Sequence, residues 1–149
     1  MKSVLIASTL ALSLLSASAF AHDEHASSVG SPGDAAKVSK TVEIDMNDTM
    51  RFTPTTISVK RGETVRFLVK NSGKVKHEMV LGSIKELKEH AALMQKFPEM
   101  EHSDPNQVSL DPGKSGELVW QFSQAGRFDF ACLQPGHFEA GMRGNIVVK

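Results

Sequence analysis

The sequence contains one cysteine, no net charge and a single long apolar run. Because Cys132 is the only cysteine, no disulfide can form within the chain. The 17 Lys and Arg residues balance 17 Asp and Glu residues, so the chain has no electrostatic attraction for nucleic acid or anionic lipid. We therefore expect no nucleic-acid partner and no membrane partner, and we expect a monomer.

The single long apolar run lies at the N-terminus. It extends from Val4 to Leu15, follows Lys2, and precedes Ala19-Phe20-Ala21, which has the small-x-small pattern of a signal-peptide cleavage site. The run is short for a membrane span, which makes an uncleaved anchor the less favoured interpretation. We expect residues 1–21 to be a signal peptide that is cleaved after Ala21, and the mature protein to reach the periplasm.

The rest of the chain divides into a leader and one domain. Residues 22–40 are small, polar and without periodicity, which is typical of a flexible leader. From about Thr41, short runs alternate between apolar and polar residues and are separated by turn signals such as Asp111-Pro112-Gly113. About seven or eight such runs indicate an all-β fold over 41–149, an antiparallel Greek-key β-sandwich. The runs are Val42–Met46, Ile57–Val59, Thr64–Val69, Glu78–Leu81, Gln107–Leu110, Leu118–Phe122, Phe128–Cys132 and Ile146–Val148.

One segment changes period and predicts a helix. Apolar residues there recur at spacings of three and four, as on one face of an amphipathic helix. Ser83 and Glu86 form a capping box at its start, and Pro98 ends it. We therefore predict one helix over about 83–97, inserted between two strands. Its apolar positions are Ile84, Leu87, Ala91, Met94 and Phe97.

The run from Cys132 to Met142 carries the chemistry. Cys132, His137 and Met142 follow one another at intervals of five residues, a spacing that matches neither a helix face nor a strand face. Only a folded loop, turned at Pro135-Gly136, brings the three side chains together. An exposed free thiol is a liability in an oxidising compartment, so Cys132 is expected to be buried or metal-bound. His77 ends its own strand and is the candidate fourth ligand.

These four side chains match a copper ligand set. Two imidazoles and a thiolate with a weak axial thioether are typical of blue-copper electron-transfer sites. We predict one copper per chain, as Cu(I) or Cu(II), bound by His77, Cys132, His137 and Met142. Zinc is the weaker interpretation because its structural sites rarely use methionine. The residues also allow a core cysteine, a Cys132–His137 nucleophilic pair, a core Met142 and a non-ligating His77.

The segments around these residues resemble a known family. Arg51–Pro54, Ile57–Val59 and Gly62–Phe67 are similar to the N-terminal half of cupredoxins related to plastocyanin and azurin, and Phe128–Val148 is similar to their copper loop. The resemblance covers about 41–149 apart from the helical insertion. It implies a cupredoxin domain whose type 1 copper site uses the four ligands named above. Many family members carry Asn directly after the first ligand His, whereas this chain has Glu78 there.

The resemblance implies a one-electron carrier with a redox protein partner, and not an enzyme. The second interpretation is a copper-tolerance protein that sequesters or oxidises periplasmic copper alongside other copper-handling proteins. A tolerance protein would use extra soft ligands, for which His22 and His25 near the mature N-terminus and Met100 and His102 in a polar loop are the candidates. Met46 and Met94 are in phase with apolar neighbours, so we expect them to pack in the core.

Overall fold

The structure is a computed structural model that describes residues 29–99 and 103–149. Within these ranges it contains ten strands, a 3₁₀ turn at Ala35–Lys37 and one α-helix, α1 (Ile84–Lys96). No helix of the described ranges has the length and apolar character that a membrane crossing requires. The strands are β1 (Ser31–Pro32), β2 (Lys40–Asn47), β3 (Arg51–Thr53), β4 (Thr56–Val59), β5 (Thr64–Asn71), β6 (His77–Gly82), β7 (Gln107–Leu110), β8 (Ser115–Gln121), β9 (Gly126–Ala131) and β10 (Arg143–Val148).

Two five-stranded sheets make the sandwich. Their strand orders are β1-β8-β5-β2-β3 and β4-β10-β9-β6-β7. Most neighbouring strands are antiparallel, but β2 pairs with β5 in parallel and β4 pairs with β10 in parallel. The predicted β-sandwich with one inserted helix is therefore confirmed, although its sheets are mixed and not purely antiparallel. Alternating sequence shows which face of a strand is buried, but it carries no information on the direction of the neighbouring strand.

The main core fills the space between the two sheets. Ile44 and Met46 of β2 are at most 2% exposed, as their alternation with polar residues predicts, and Met46 is thereby confirmed as a core residue. Across the sandwich, the rings of Phe52 and Phe130 meet edge to face with their centroids 5.0 Å apart. Such aromatic pairs add to the free energy gained by apolar burial.

The folded part of the chain begins earlier than the boundary near Thr41 that the sequence predicts. Val29 is buried, and its carbonyl oxygen accepts a hydrogen bond of 3.4 Å from the indole Nε1 of Trp120. Strand β1 then pairs with β8, so residues 29–40 belong to the sandwich and are not a free leader. A strand of two residues is too short to alternate, which explains why no periodicity marks it. Residues 1–28, including the predicted signal peptide, lie outside the described residues.

Helix α1 packs on the outer face of the second sheet. Glu86 N–H donates to the Ser83 hydroxyl at 3.3 Å and Ser83 N–H donates to the Glu86 carboxylate at 2.7 Å, so the predicted capping box is confirmed. The helix buries its predicted apolar face except at the two ends, where Ile84 and Phe97 are exposed. Together with residues of β6, β9 and the loop after β9, it forms a second apolar cluster. Its members are Val80, Leu87, Ala91, Met94, Ala131, Leu133 and Phe138.

Candidate metal centre

Two neighbouring strands deliver His77 and Cys132 to one end of the sandwich. His77 is the first residue of β6, and Cys132 directly follows the last residue of β9. Because β6 and β9 are antiparallel neighbours, the start of one lies beside the end of the other. Both side chains are completely buried, and the Nδ1 atom of His77 lies 4.0 Å from the Sγ atom of Cys132.

The loop between β9 and β10 folds back on itself and brings in the other two predicted ligands. His137 N–H donates to the carbonyl of Gln134 at 2.9 Å, and Met142 N–H donates to the carbonyl of His137 at 3.0 Å. The loop closes where Cys132 N–H donates to the carbonyl of Met142 at 3.0 Å. Gly136 has a φ of 84°, a left-handed conformation that glycine adopts without steric cost. The predicted tight turn is therefore confirmed.

Three donor atoms converge at this end of the sandwich. The ligand atoms of His77, Cys132 and His137 all lie within 4.8 Å of one another, and the Sγ atom of Cys132 is 3.2 Å from the Nδ1 atom of His137. Met142 is fully buried, and its backbone is hydrogen-bonded to both Cys132 and His137. The fold therefore brings the donor atoms of His77, Cys132 and His137 together, and it places the backbone of Met142 beside Cys132 and His137.

Burial shifts the pKa values of two of the side chains, Cys132 and His137. Removal from water raises the pKa of the Cys132 thiol to about 12, and the Glu78 carboxylate adds to the rise, whereas hydrogen bonds from the backbone of Glu78 and Gln134 oppose it. Burial, followed by the neighbouring His77, lowers the pKa of His137. At neutral pH the site thus holds a neutral thiol and a neutral His137 ring. A thiol with so high a pKa is a poor nucleophile, which argues against the Cys132–His137 nucleophilic pair.

Glu78 occupies the position at which the resembling family often carries Asn. It is 6% exposed, and its backbone N–H donates to the Sγ atom of Cys132 at 3.4 Å. Its carboxylate accepts hydrogen bonds from the Leu133 N–H and from the Gln134 side-chain amide, both at 3.2 Å. The strand that carries His77 is therefore tied to the loop that carries Cys132, by a carboxylate in place of an amide.

Asp48 is a site residue that sequence reasoning missed. It lies between β2 and β3, and its Oδ1 atom is 3.1 Å from the Nε2 atom of His77. A backbone hydrogen bond from Lys74 is the main cause that lowers the pKa of this carboxyl, and the contact with His77 lowers it further. No spacing rule links residue 48 with residue 77, so only the fold reveals the contact.

The other methionine and histidine residues that the sequence offers as soft ligands are either core residues or lie outside the described residues. Met94 is buried in the cluster under α1, which confirms it as a packing residue. Within residues 29–99 and 103–149, the group His77, Cys132 and His137 is the one metal-binding cluster of His, Cys, Asp and Glu side chains found. The extra ligands predicted at His22, His25, Met100 and His102 lie outside the described residues.

Comparison with known proteins identifies the family. The sequence model of the copper-binding proteins of the plastocyanin/azurin family matches residues 37–149. The chain belongs to this family of cupredoxins. The copper-resistant cuproprotein CopI of Rubrivivax gelatinosus is 56% identical to this cupredoxin over 133 residues, which cover 89% of this chain and 80% of the relative. CopI of Pseudomonas aeruginosa is 38% identical over an alignment of 165 positions, which covers 91% of this chain and 91% of the relative.

Solved structures agree with the fold of this cupredoxin. Auracyanin B is 25% identical with a TM-score of 0.66, over 80% of this chain and 96% of its own. Auracyanin of Roseiflexus castenholzii is 21% identical with a TM-score of 0.65, over 75% of this chain and 98% of its own, and it supports the fold alone. The predicted family, cupredoxin fold and copper cofactor are thus confirmed.

The donor set of this cupredoxin fits copper. A buried thiol and two imidazoles offer soft and intermediate donors, the combination that suits Cu(I) and Cu(II). A cation at this position would favour the thiolate, and so reverse the effect that burial has on the pKa of Cys132.

Proposed function

We propose that this cupredoxin binds one copper ion at a type 1 site and protects the periplasm against copper. The proposed ligands are the Nδ1 atoms of His77 and His137, the Sγ atom of Cys132 and the thioether of Met142. The observation that carries the proposal is the convergence of the donor atoms of His77, Cys132 and His137 within 4.8 Å of one another, with His77 and Cys132 completely buried. Bound copper supplies a one-electron couple between Cu(I) and Cu(II).

The surrounding residues prepare this site for a cation. Backbone N–H groups of Glu78 and Gln134 point at the sulfur of Cys132 and favour its thiolate. The fold fixes the His77 ring from one side, as its contact with Asp48 shows. His137 is half-buried, whereas the other three proposed ligands are completely buried, so His137 is the most exposed of the four. The donors are thus in place before the metal arrives, which limits rearrangement when one electron enters or leaves.

Protection against copper is supported by the curated relatives. Two proteins named as copper-resistant cuproproteins match this chain along 80% and 91% of their own lengths. The N-terminal pattern of Lys2, an apolar run and Ala19-Phe20-Ala21 supports export to the periplasm, where such protection would act. We infer that the protein acts as a monomer with copper-handling partners, and as a binding protein and not as an enzyme.

One-electron transfer to a redox protein is the second candidate function. It is favoured by the half-buried position of His137, since a ligand that reaches the surface offers electrons a short route to a docked partner. A carrier needs only the four-ligand site. A protein that sequesters copper would also draw on ligands outside that site, such as His22, His25, Met100 and His102.

The site itself is tested by adding Cu(II) to the purified mature protein. We expect one copper per chain and a strong thiolate-to-copper charge-transfer band in the visible spectrum. Cys132→Ser should abolish the band while the far-ultraviolet circular dichroism stays unchanged, because serine keeps the approximate size of the side chain and removes the sulfur. A visible band that survives in this variant would overturn the assignment.

The two functions are separated by growth in rising copper. A cell deleted for the gene receives the wild type, Cys132→Ser, or a form that lacks residues 22–25 and has Met100 and His102 replaced. If only Cys132→Ser loses protection, the protection depends on the redox site. If only the depleted form fails, sequestration outside the site is the function. If no form changes copper sensitivity, the tolerance proposal fails and the electron carrier remains.

A further inference from the structure

The ring nitrogen of His77 that faces away from Cys132 meets a carboxylate. Its Nε2 atom lies 3.1 Å from the Oδ1 atom of Asp48, while its Nδ1 atom faces the sulfur of Cys132. An ionised carboxylate can only accept a hydrogen bond. Nε2 must therefore carry the proton in this contact, which leaves the lone pair of Nδ1 directed into the metal centre when the ring is neutral.

The loop before β6 holds the Asp48 carboxylate in place. Lys74 N–H donates to both carboxylate oxygens, at 3.0 and 2.8 Å, and Val75 N–H donates to Oδ1 at 3.4 Å. A Cβ atom at Gly73 would lie 2.1 Å from that same Oδ1 atom, so only glycine leaves room for the carboxylate. Asn71 closes the loop, since its side-chain oxygen accepts from Gly73 N–H at 2.9 Å and its amide donates to the Val75 carbonyl at 2.8 Å.

We propose that Asp48 is a positioning residue that selects the Nε2–H tautomer of His77 and fixes its ring with Nδ1 towards Cys132. Its negative charge also favours the oxidised form of the site, because it stabilises the higher positive charge of Cu(II). Carboxylates that orient a ligating histidine in this way typically change metal affinity by roughly 10–100-fold when they are removed. The part of the proposal that concerns copper rests on the proposed function of His77 as a ligand.

The first test needs no metal. In the metal-free protein at about pH 8, above the ordinary histidine pKa of about 6.5, ¹⁵N nuclear magnetic resonance reports which ring nitrogen of His77 carries the proton. We expect the Nε2–H tautomer in the wild type and a mixture of tautomers in Asp48→Ala. Asp48→Asn should keep the Nε2–H tautomer, because the amide oxygen can still accept the hydrogen bond.

Two further variants separate the effect of the Asp48–His77 contact from the effect of removing a negative charge. Asp45→Asn removes the same charge from β2, where Asp45 accepts hydrogen bonds from Asn47 and Ser72, and it should leave the tautomer unchanged. Gly73→Ala keeps Asp48 but displaces its carboxylate, so it should reproduce the mixture of tautomers. It also serves as the second route to the same result if Asp48→Ala does not fold.

The second test uses the copper-loaded protein. Asp48→Ala should weaken copper binding roughly 10–100-fold, and Asp48→Asn should raise the reduction potential, whereas Asp45→Asn should change the potential less. A single Nε2–H tautomer with wild-type copper affinity in both Asp48→Ala and Gly73→Ala would overturn the proposal. If His77→Ala binds copper as tightly as the wild type while the tautomer of metal-free protein still depends on Asp48, the proposed ligand set fails and the positioning of the ring stands.

Discussion

The two imidazoles of the proposed copper centre are held in different ways. His77 is completely buried at the start of a strand, and a carboxylate contacts the nitrogen on its far side. His137 is half-buried in a loop, and its Nδ1 atom contacts the sulfur of Cys132. The comparison indicates that the side of the site with His77 is closed and held by a carboxylate, whereas the side with His137 is partly exposed to solvent.

Replacing each histidine by glycine should give the largest difference between the two ligands, measured as recovery of the visible copper band on addition of imidazole. Both His77→Gly and His137→Gly should lose the visible copper band. Added imidazole should restore the band in His137→Gly, because the vacated space opens to solvent, but not in His77→Gly, where the replaced ring is completely enclosed. Titration with imidazole, followed in the visible spectrum, measures the difference. Equal recovery in both variants would contradict the distinction between a closed and an open side.

A substitution of Met142 tests whether this buried residue of the loop between β9 and β10 changes the reduction potential of the copper without being needed for copper binding. Met142→Gln should keep one copper per chain and lower the reduction potential, because a harder oxygen donor favours Cu(II) and a weak axial thioether adds little to binding. Protein-film voltammetry together with metal analysis measures both properties. A raised or unmoved potential would show that Met142 is not an axial ligand.

A substitution of Glu78 should give the smallest change in reduction potential. Glu78 connects β6, which begins with His77, to the loop between β9 and β10. Glu78→Gln keeps a side-chain oxygen that can accept the hydrogen bond from Leu133, but it removes a charge that opposes the thiolate. We expect a modestly higher reduction potential and a lower pKa of Cys132 in the metal-free protein. Glu139→Gln removes the same charge at an exposed position of the same loop, and serves as the control. Equal shifts in both variants would mean that net charge, and not the buried contact, sets the potential.

The parts of the site that lie close in sequence could be predicted, and the parts that depend on the fold could not. Cys132, His137 and Met142 share one loop, so their residue types and spacing were sufficient to name the chemistry. Asp48 reaches His77 only because the loop after β2 and the loop before β6 meet at one end of the sandwich. The contacts of Glu78 depend on the pairing of β6 with β9 in the same way.

The fold shows the same division between local and distant information. Alternation predicted the long strands, and spacing with a capping box predicted α1. Strands β1 and β3 have two and three residues, too few to show a period, and they form only by pairing with β8 and β2. The two parallel pairings were also missed, because they are decided by the path of the chain and not by the residues within either strand.

The cluster under α1 has a consequence for protein engineering. Leu133 and Phe138 belong to the loop between β9 and β10. They nevertheless pack with Leu87, Ala91 and Met94 of α1. A chimera that received only the loop of another cupredoxin would lose these two apolar contacts and leave the face of the helix without its partners. The loop and the segment 83–97 therefore form one transplantable module, and a successful graft has to carry both pieces together.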